Sequence, residues 1–363
     1  MNITMIMPNP SMSGGDRVCA IYARQLIDRG HHVDVVAPKK KLLTLKQQVK
    51  RILKGDGWLP AAKQRQNHFN LLGVEVIYLE ATRPVVGEDL PDADVVIASW
   101  WETAEWVAKL PDSKGAKAYF IQHHEVHDGQ PVDRVKQTYL LPLHKITIAT
   151  WLLDLMQNTY HDPVVSFVPN SVDFDIFFAP ARAKQAIPTL GFLYSDVAFK
   201  GIDTALKVIE RVKTHFPELR IICFGNAKPE KSMPLPPYFE FEYNPKQEDI
   251  RKIYGQCDVW LCCSRSEGFG LTVLEAMACR CPAVSTKCGG PEDIVEEGKN
   301  GFLCDIDDVD NLSAAITRVL ELPNSEWQAL SDAALAKATG YSWQDATTLF
   351  EQALNLAITR NAR

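Results

Sequence analysis

Two glutamates, Glu267 and Glu275, flank a Gly-Phe-Gly turn at the start of an apolar run, Leu271 to Met277. A carboxylate accepts two hydrogen bonds at once, which suits vicinal hydroxyls. Gly268 and Gly270 let the backbone turn sharply and approach a ligand closely. If Leu271 opens a helix, its free N–H groups favour an anion, with the dipole adding about 0.3–1 kcal/mol. The stretch can therefore hold a phosphate by backbone and hydroxylated rings by two carboxylates. A sugar nucleotide has that layout. The same residues also fit an ordinary strand–turn–helix with a charge on its first turns, and the flanking sequence must separate the two readings.

Other segments carry candidate chemistry. "AYFIQHHEVHDG" places His123, His124, Glu125 and His127 after an apolar run. Three histidines and a glutamate invite zinc, but ligands so close on one loop rarely converge on one ion. "NPSMSGGDR" puts Gly14 and Gly15 after the first apolar run, where backbone can approach a diphosphate or an acceptor. "SWWETA" offers Trp100 or Trp101 for stacking on a sugar, or for the core. Residues 39–55 hold seven basic and no acidic side chains, with Leu42, Leu45, Val49, Ile52 and Leu53 near one helical face. Such a helix can rest on an anionic membrane surface, recognise a partner, or pack on its own domain.

These residues need elements to place them. "NITMIMP", "HVDVVAP", "VEVIYL", "ADVVIAS" and "KAYFIQ" read as strands. The run from Ser11 to Gly30 has helical periodicity through Val18, Ile21, Tyr22 and Leu26. After "VVSFVPNSVD" the alternation restarts, with strands "TLGFLYS", "LRIICFGN", "DVWLCCS" and "PAVST". Helices "GIDTALKVIERVKTHFP", "QEDIRKIYGQC", "GLTVLEAMAC" and "VDNLSAAITRVLEL" lie among them. Apolar strands alternating with helices predict parallel sheets covered on both faces. The expectation is an α/β protein of two doubly wound, Rossmann-like domains facing a cleft. Residues 1–168 form the first, with the C-terminal helix 342–363 packing back on it, and residues 169–341 form the second. Each candidate motif follows a strand, on the carboxyl edge where open α/β sheets bind ligands.

The run "YGQCDVWLCCSRSEGFGLTVLEAMACRCPAVSTKCGGPEDIVEEGKNGFLC" resembles the retaining glycosyltransferases of the GT-B fold, glycosyltransferase family 4, whose Glu-x7-Glu signature falls on Glu267 and Glu275. "VPNSVDFDIF", "FKGID" and "YSW" are similar to further family segments. The resemblance covers residues 168–345 well and the N-terminal part weakly. It implies that Glu275 holds the donor ribose and that Glu267 contacts the transferred sugar. Backbone of Gly268, Phe269, Gly270 and Leu271 would line the sugar and diphosphate, and Lys200 would meet the diphosphate. His123, or failing it His124, would lie near the reacting carbon, with Gly14 and Gly15 on the same N-terminal side of the cleft, where backbone approaches the diphosphate or acceptor.

The family's arginine a few residues before the lysine is absent; Tyr194 and Ser195 stand there, and Arg265 is the candidate to compensate. Arg280 replaces a usual glycine. The implied reaction retains configuration by front-face displacement, the diphosphate drawing the acceptor's proton. The substrates implied are a nucleotide sugar and a glycan or lipid-linked acceptor, in polysaccharide or glycolipid synthesis. A non-catalytic sugar-nucleotide-binding subunit is the alternative. No Asp-x-Asp motif stands in a cleft position, so neither a metal nor another cofactor is expected.

Composition sets the outer limits. At 363 residues, 46% hydrophobic and 23% charged, the chain suits two globular domains. No window reaches the roughly 18–20 apolar residues of a spanning helix. The N-terminus lacks the pattern of a signal peptide. Nine irregularly spaced cysteines then read as cytosolic thiols. The expected location is cytoplasmic, with peripheral contact to the inner membrane face as an option. Net charge is -6, yet the first sixty residues carry ten Lys/Arg against four Asp/Glu. That marks a local basic surface and argues against a nucleic-acid partner.

Overall fold

A computed structural model describes residues 1–53, 57–64, 66–229 and 233–361. The chain divides into two compact units. The first comprises Met1–Ile148, Leu152–Val168 and the segment from Thr347 onward; the second comprises Ala149–Trp151 and Pro169–Ala346. The last crossing falls inside one helix, Trp343–Asn361.

The first unit is a seven-stranded sheet. Its strands are β1 (Asn2–Ile6), β2 (His32–Ala37), β3 (Val76–Tyr78), β4 (Val95–Ala98), β5 (Ala116–Ile121), β6 (His144–Thr147) and β7 (Val165–Phe167). They are ordered β3-β2-β1-β4-β5-β6-β7, and every pair is parallel. All four residues of β4 and the ends of β1, β2 and β5 are buried, as parallel strands covered on both faces must be. Ser13 caps the helix Gly14–Asp28, accepting the Asp16 N–H. On that helix Val18, Tyr22 and Leu26 are fully buried. The C-terminal helix closes the same core: Phe350 stacks on Tyr22 at 4.3 Å and meets Phe120 edge-on at 5.1 Å.

The second unit is a six-stranded parallel sheet of β8 (Thr189–Leu193), β9 (Arg220–Gly225), β10 (Phe239–Tyr243), β11 (Val259–Cys262), β12 (Ala283–Thr286) and β13 (Gly301–Cys304), ordered β10-β9-β8-β11-β12-β13. Leu190, Phe192, Ile221, Val259, Leu261 and Val284 form one apolar cluster with Val208, Val212, Leu312 and Ile316 of the helices Ile202–His215 and Val309–Glu321. The chain reverses direction across the sheet between β8 and β11. Both sheets are doubly wound, as the alternation of strands and helices predicts.

The structure adds β6, β7, β10, β13 and the helix Asn324–Thr339 to the elements expected from sequence. It also shortens the basic helix expected over residues 39–55. Helix runs only over Leu45–Leu53, Lys39–Thr44 are not helical, and Lys54 and Gly55 lie outside the described residues. All nine cysteines are buried free thiols.

Candidate functional site

In the second unit the candidate residues gather at the reversal point. The loop after β8 carries Lys200, and the loop after β11 carries Glu267. Because the two strands are adjacent and parallel, both loops leave the same edge of the sheet. The Lys200 ammonium lies 2.7 Å from Glu267 Oε1, which also accepts the Ser264 hydroxyl at 2.6 Å. Burial disfavours the Lys200 charge, but attraction and a hydrogen bond to Glu267 outweigh it and its pKa is raised. The ammonium is therefore held charged at this edge. A small cavity there is lined by Lys200, Glu267, Ser264, Cys262, Phe192 and Thr272 among others.

The backbone around Glu267 is fixed on both sides. Its N–H donates to Cys288 O at 2.8 Å and its carbonyl accepts the Gly290 N–H at 3.1 Å. The Trp151 indole donates to Gly268 O at 3.0 Å. Gly270 caps the helix Leu271–Ala278 at φ +90, a conformation that side chains oppose. Gly201, which follows Lys200, has φ +64, and a Cβ there would stand 1.9 Å from Cys263 O. Only glycine lets the lysine loop lie so close to β11.

Glu275 lies on the second turn of the helix Leu271–Ala278 and is buried. The buried Tyr254 hydroxyl donates to its Oε2 at 2.9 Å. Tyr254 was not singled out from sequence; it ends the helix Gln247–Tyr254 and there reads as one more core aromatic. Arg265, expected to replace the absent arginine, is engaged elsewhere. Its guanidinium binds Asp203 at 2.7 Å, Asp307 at 2.8 Å and Ala198 O at 2.9 Å. Those hydrogen bonds raise its pKa and tie the Glu267 loop to the first turn of the helix Ile202–His215 and to Asp307. Arg280 adopts φ 62, sits beside Asp332, and accepts the Ser331 hydroxyl on its carbonyl.

In the first unit, Gly14 and Gly15 follow β1 and His123 follows β5, on the same carboxyl edge of the sheet with β4 between the two strands. Gly14 and Gly15 open the helix Gly14–Asp28 and do not lie in the loop before it. The Gln122 amide donates to Gly15 O at 3.2 Å, so the first turn of that helix touches the residue before His123. His123 is mostly buried, with Nδ1 3.9 Å from Glu125 Oε1. Glu125 Oε2 lies 3.2 Å from His127 Nε2. Burial pushes the Glu125 carboxyl up to about 7, against the pull of His127. His124 bonds the Tyr160 hydroxyl at 2.8 Å, and burial pushes it down to about 4. No group of three or more His, Cys, Asp or Glu among the described residues is arranged to hold a metal ion. Trp101 is a core residue, donating to Gln130 beneath the Arg134 guanidinium; Trp100 is half-buried.

Residues 178–334 match the family described as glycosyl transferases group 1, a segment within the second unit that contains Lys200, Glu267 and Glu275. Among curated relatives, the D-inositol 3-phosphate glycosyltransferase of Mycobacterium marinum is 30% identical over 205 residues, 51% of this chain and 44% of the relative. The sulfoquinovosyl transferase of Arabidopsis thaliana is 29% identical over 156 residues, 41% of this chain and 30% of the relative. The chain thus spans less than half the length of these relatives. Over that segment it is similar to group 1 glycosyltransferases. Solved structures share the fold across the chain. Sucrose-phosphate synthase of Thermosynechococcus elongatus aligns at TM-score 0.71 with 14% identity, covering 99% of this chain and 100% of that one. HepE of Anabaena, solved with UDP-glucose, aligns at TM-score 0.71 with 16% identity, covering 98% and 99%.

Proposed function

We propose that this protein is a retaining glycosyltransferase that moves a sugar from a nucleoside-diphosphate sugar to a glycan or lipid-linked acceptor. The observation that carries the reading is the Lys200–Glu267 pair at the reversal point of the second sheet, within the segment similar to group 1 glycosyltransferases. Lys200 faces the diphosphate, Glu267 a hydroxyl of the transferred sugar, and Glu275 the ribose. The N–H groups that open the helix Leu271–Ala278 stabilise the departing phosphate. His123 acts near the reacting carbon. The transfer proceeds on one face of the sugar, with the leaving phosphate taking the acceptor's proton, and uses no metal. That UDP-glucose is bound by HepE supports a nucleotide-sugar donor. Polysaccharide or glycolipid assembly at the inner face of a membrane is the setting that suits such an acceptor.

The test begins with a panel of nucleotides and thermal unfolding, since a ligand of the native state raises its stability by mass action. The stabilising nucleotide's sugar is then offered with chelator present, and the product's anomeric configuration is read by NMR. An inverted product, or loss of activity with chelator, overturns the corresponding part. His123→Ala should lower turnover far more than nucleotide affinity.

One observation favours a second reading. Tyr194 and Ser195 replace the family's arginine, and Arg265 is bound to Asp203 and Asp307. With one phosphate cation fewer, a subunit that binds sugar nucleotide without turning it over is the alternative. Slow hydrolysis of the donor without acceptor separates the two: an enzyme shows it, a binding subunit does not.

A further inference from the structure

The helix Leu45–Leu53 presents its faces in the reverse of the usual order. At 3.6 residues per turn, Leu45, Val49, Ile52 and Leu53 fall within about 100° of arc. In a domain's own helix that stripe faces the core. Here it faces out: Leu45 is 74% exposed, Leu53 82%, and Val49 and Ile52 51% each. The buried residue is polar. Gln48 turns inward, donating to Leu59 O at 2.7 Å and accepting the Leu59 N–H at 3.1 Å. Gln64 extends the tether, donating to Leu59 O at 2.8 Å and accepting the Leu43 N–H at 2.7 Å. The helix is thus anchored by amides on its inner side, and its apolar stripe is left in water.

Charge indicates what covers the stripe. Lys46 and Lys50 border it and are exposed, and Lys39 and Lys41 precede it, also exposed. Residues 39–53 hold no acidic side chain. Trp58, next to the tethered Leu59, is 54% exposed. An apolar stripe flanked by lysines, with an exposed indole nearby, matches the headgroup–acyl boundary of an anionic bilayer. A protein groove would meet the same stripe without requiring the basic border on an acid-free segment.

We infer that residues 39–53, with Trp58 beside them, form a docking surface for anionic lipid, with Leu45, Val49, Ile52 and Leu53 entering the acyl boundary and the lysines meeting lipid phosphates. Lys54 and Gly55 of the expected basic segment lie outside the described residues and are not needed for this surface. The inference stands apart from the transferase reading, because no residue of the candidate site takes part.

The test is flotation of the full chain with phosphatidylcholine vesicles, with and without phosphatidylglycerol. Binding should require the anionic lipid. It should fall as salt rises from about 0.1 M to about 1 M, where the Debye length shrinks from ~10 Å to ~3 Å. Lys46→Gln with Lys50→Gln should weaken binding about tenfold or more, and Leu45→Ser with Leu53→Ser should do likewise. All four side chains are exposed, so both variants should keep the wild-type melting temperature. Three results would overturn the inference. The wild type could ignore anionic vesicles at low salt. The lysine pair could matter while the leucine pair does not, which leaves a polyanion surface only. Or the chain could self-associate through the leucines without binding lipid.

Discussion

Tyr254 fixes the Glu275 carboxylate from inside the core, so the glutamate proposed for the ribose is held in one orientation by the protein itself. Glu275→Ala should weaken nucleotide binding by about 1.5–3 kcal/mol, the worth of hydrogen bonds to a charged group. Tyr254→Phe removes only the orienting bond and should cost about 0.5–1.5 kcal/mol. Titration calorimetry with the stabilising nucleotide measures both, and unchanged affinity in a folded Glu275→Ala would end the assignment. Lys200→Met should weaken binding of a nucleoside diphosphate about tenfold or more, through loss of a charge-assisted contact, and barely affect the nucleoside. Equal losses would move Lys200 away from the phosphates. At this scale the sequence shows the groups that end strands in glycine-marked loops: Lys200, Glu267 and His123. It hides partners set by three-dimensional neighbours. Arg265 meets Asp203 and Asp307 from 62 and 42 residues away, and no local spacing shows that its charge is already matched.

Among elements, the lysine loop depends on one backbone position. Gly201→Ala combines a left-handed φ with a Cβ driven into Cys263 O, and should destabilise the second unit by about 2 kcal/mol or more. Chemical unfolding checks this, and a loss below about 0.5 kcal/mol would mean that the loop simply moves aside. Strands rich in Val and Ile were legible, and so was the helix after Glu267. Those missed have clear reasons. β10 reads Phe-Glu-Phe-Glu-Tyr, an edge strand with acidic residues on alternate positions. β6 opens on His144 and Lys145: the neutral His144 ring accepts from the Arg360 guanidinium at 2.9 Å, 216 residues away, and Lys145 donates to Asp162 at 2.5 Å. The helix Leu45–Leu53 shows the opposite difficulty: its periodicity is plain, but period alone cannot say which face turns inward.

Across the whole molecule, titration is unevenly distributed. Eight of the nine histidines belong to the first unit. Burial pushes His68, His124 and His144 down to about 4, with nearby cations assisting. Between pH 6.5 and 4 the unfolded chain binds protons at these sites and the folded unit does not, so stability falls as pH falls. Each histidine contributes at most about 1.4 kcal/mol per pH unit, less for partial solvation. Melting temperature should therefore drop below pH 6.5, and hydrogen exchange should open amides of the first unit before those of the second. If both units open together, or the second opens first, the histidines are not the cause. The two-sheet architecture was legible because each alternation of strand and helix repeats the same local signal.

The last crossing between units has a consequence for biosynthesis. The first unit needs Phe350 against Tyr22 and Phe120, so the helix Gly14–Asp28, β5 and the C-terminal helix must meet before its core can close. The second unit is almost wholly one unbroken stretch, Pro169–Ala346. Once the chain is released, the later-made unit can therefore close on its own, while the earlier-made sheet waits, incomplete, for the helix made last. Order of synthesis and order of completion run in opposite directions, and a chain cut before Thr347 leaves the second unit able to close while the histidine-bearing unit remains open.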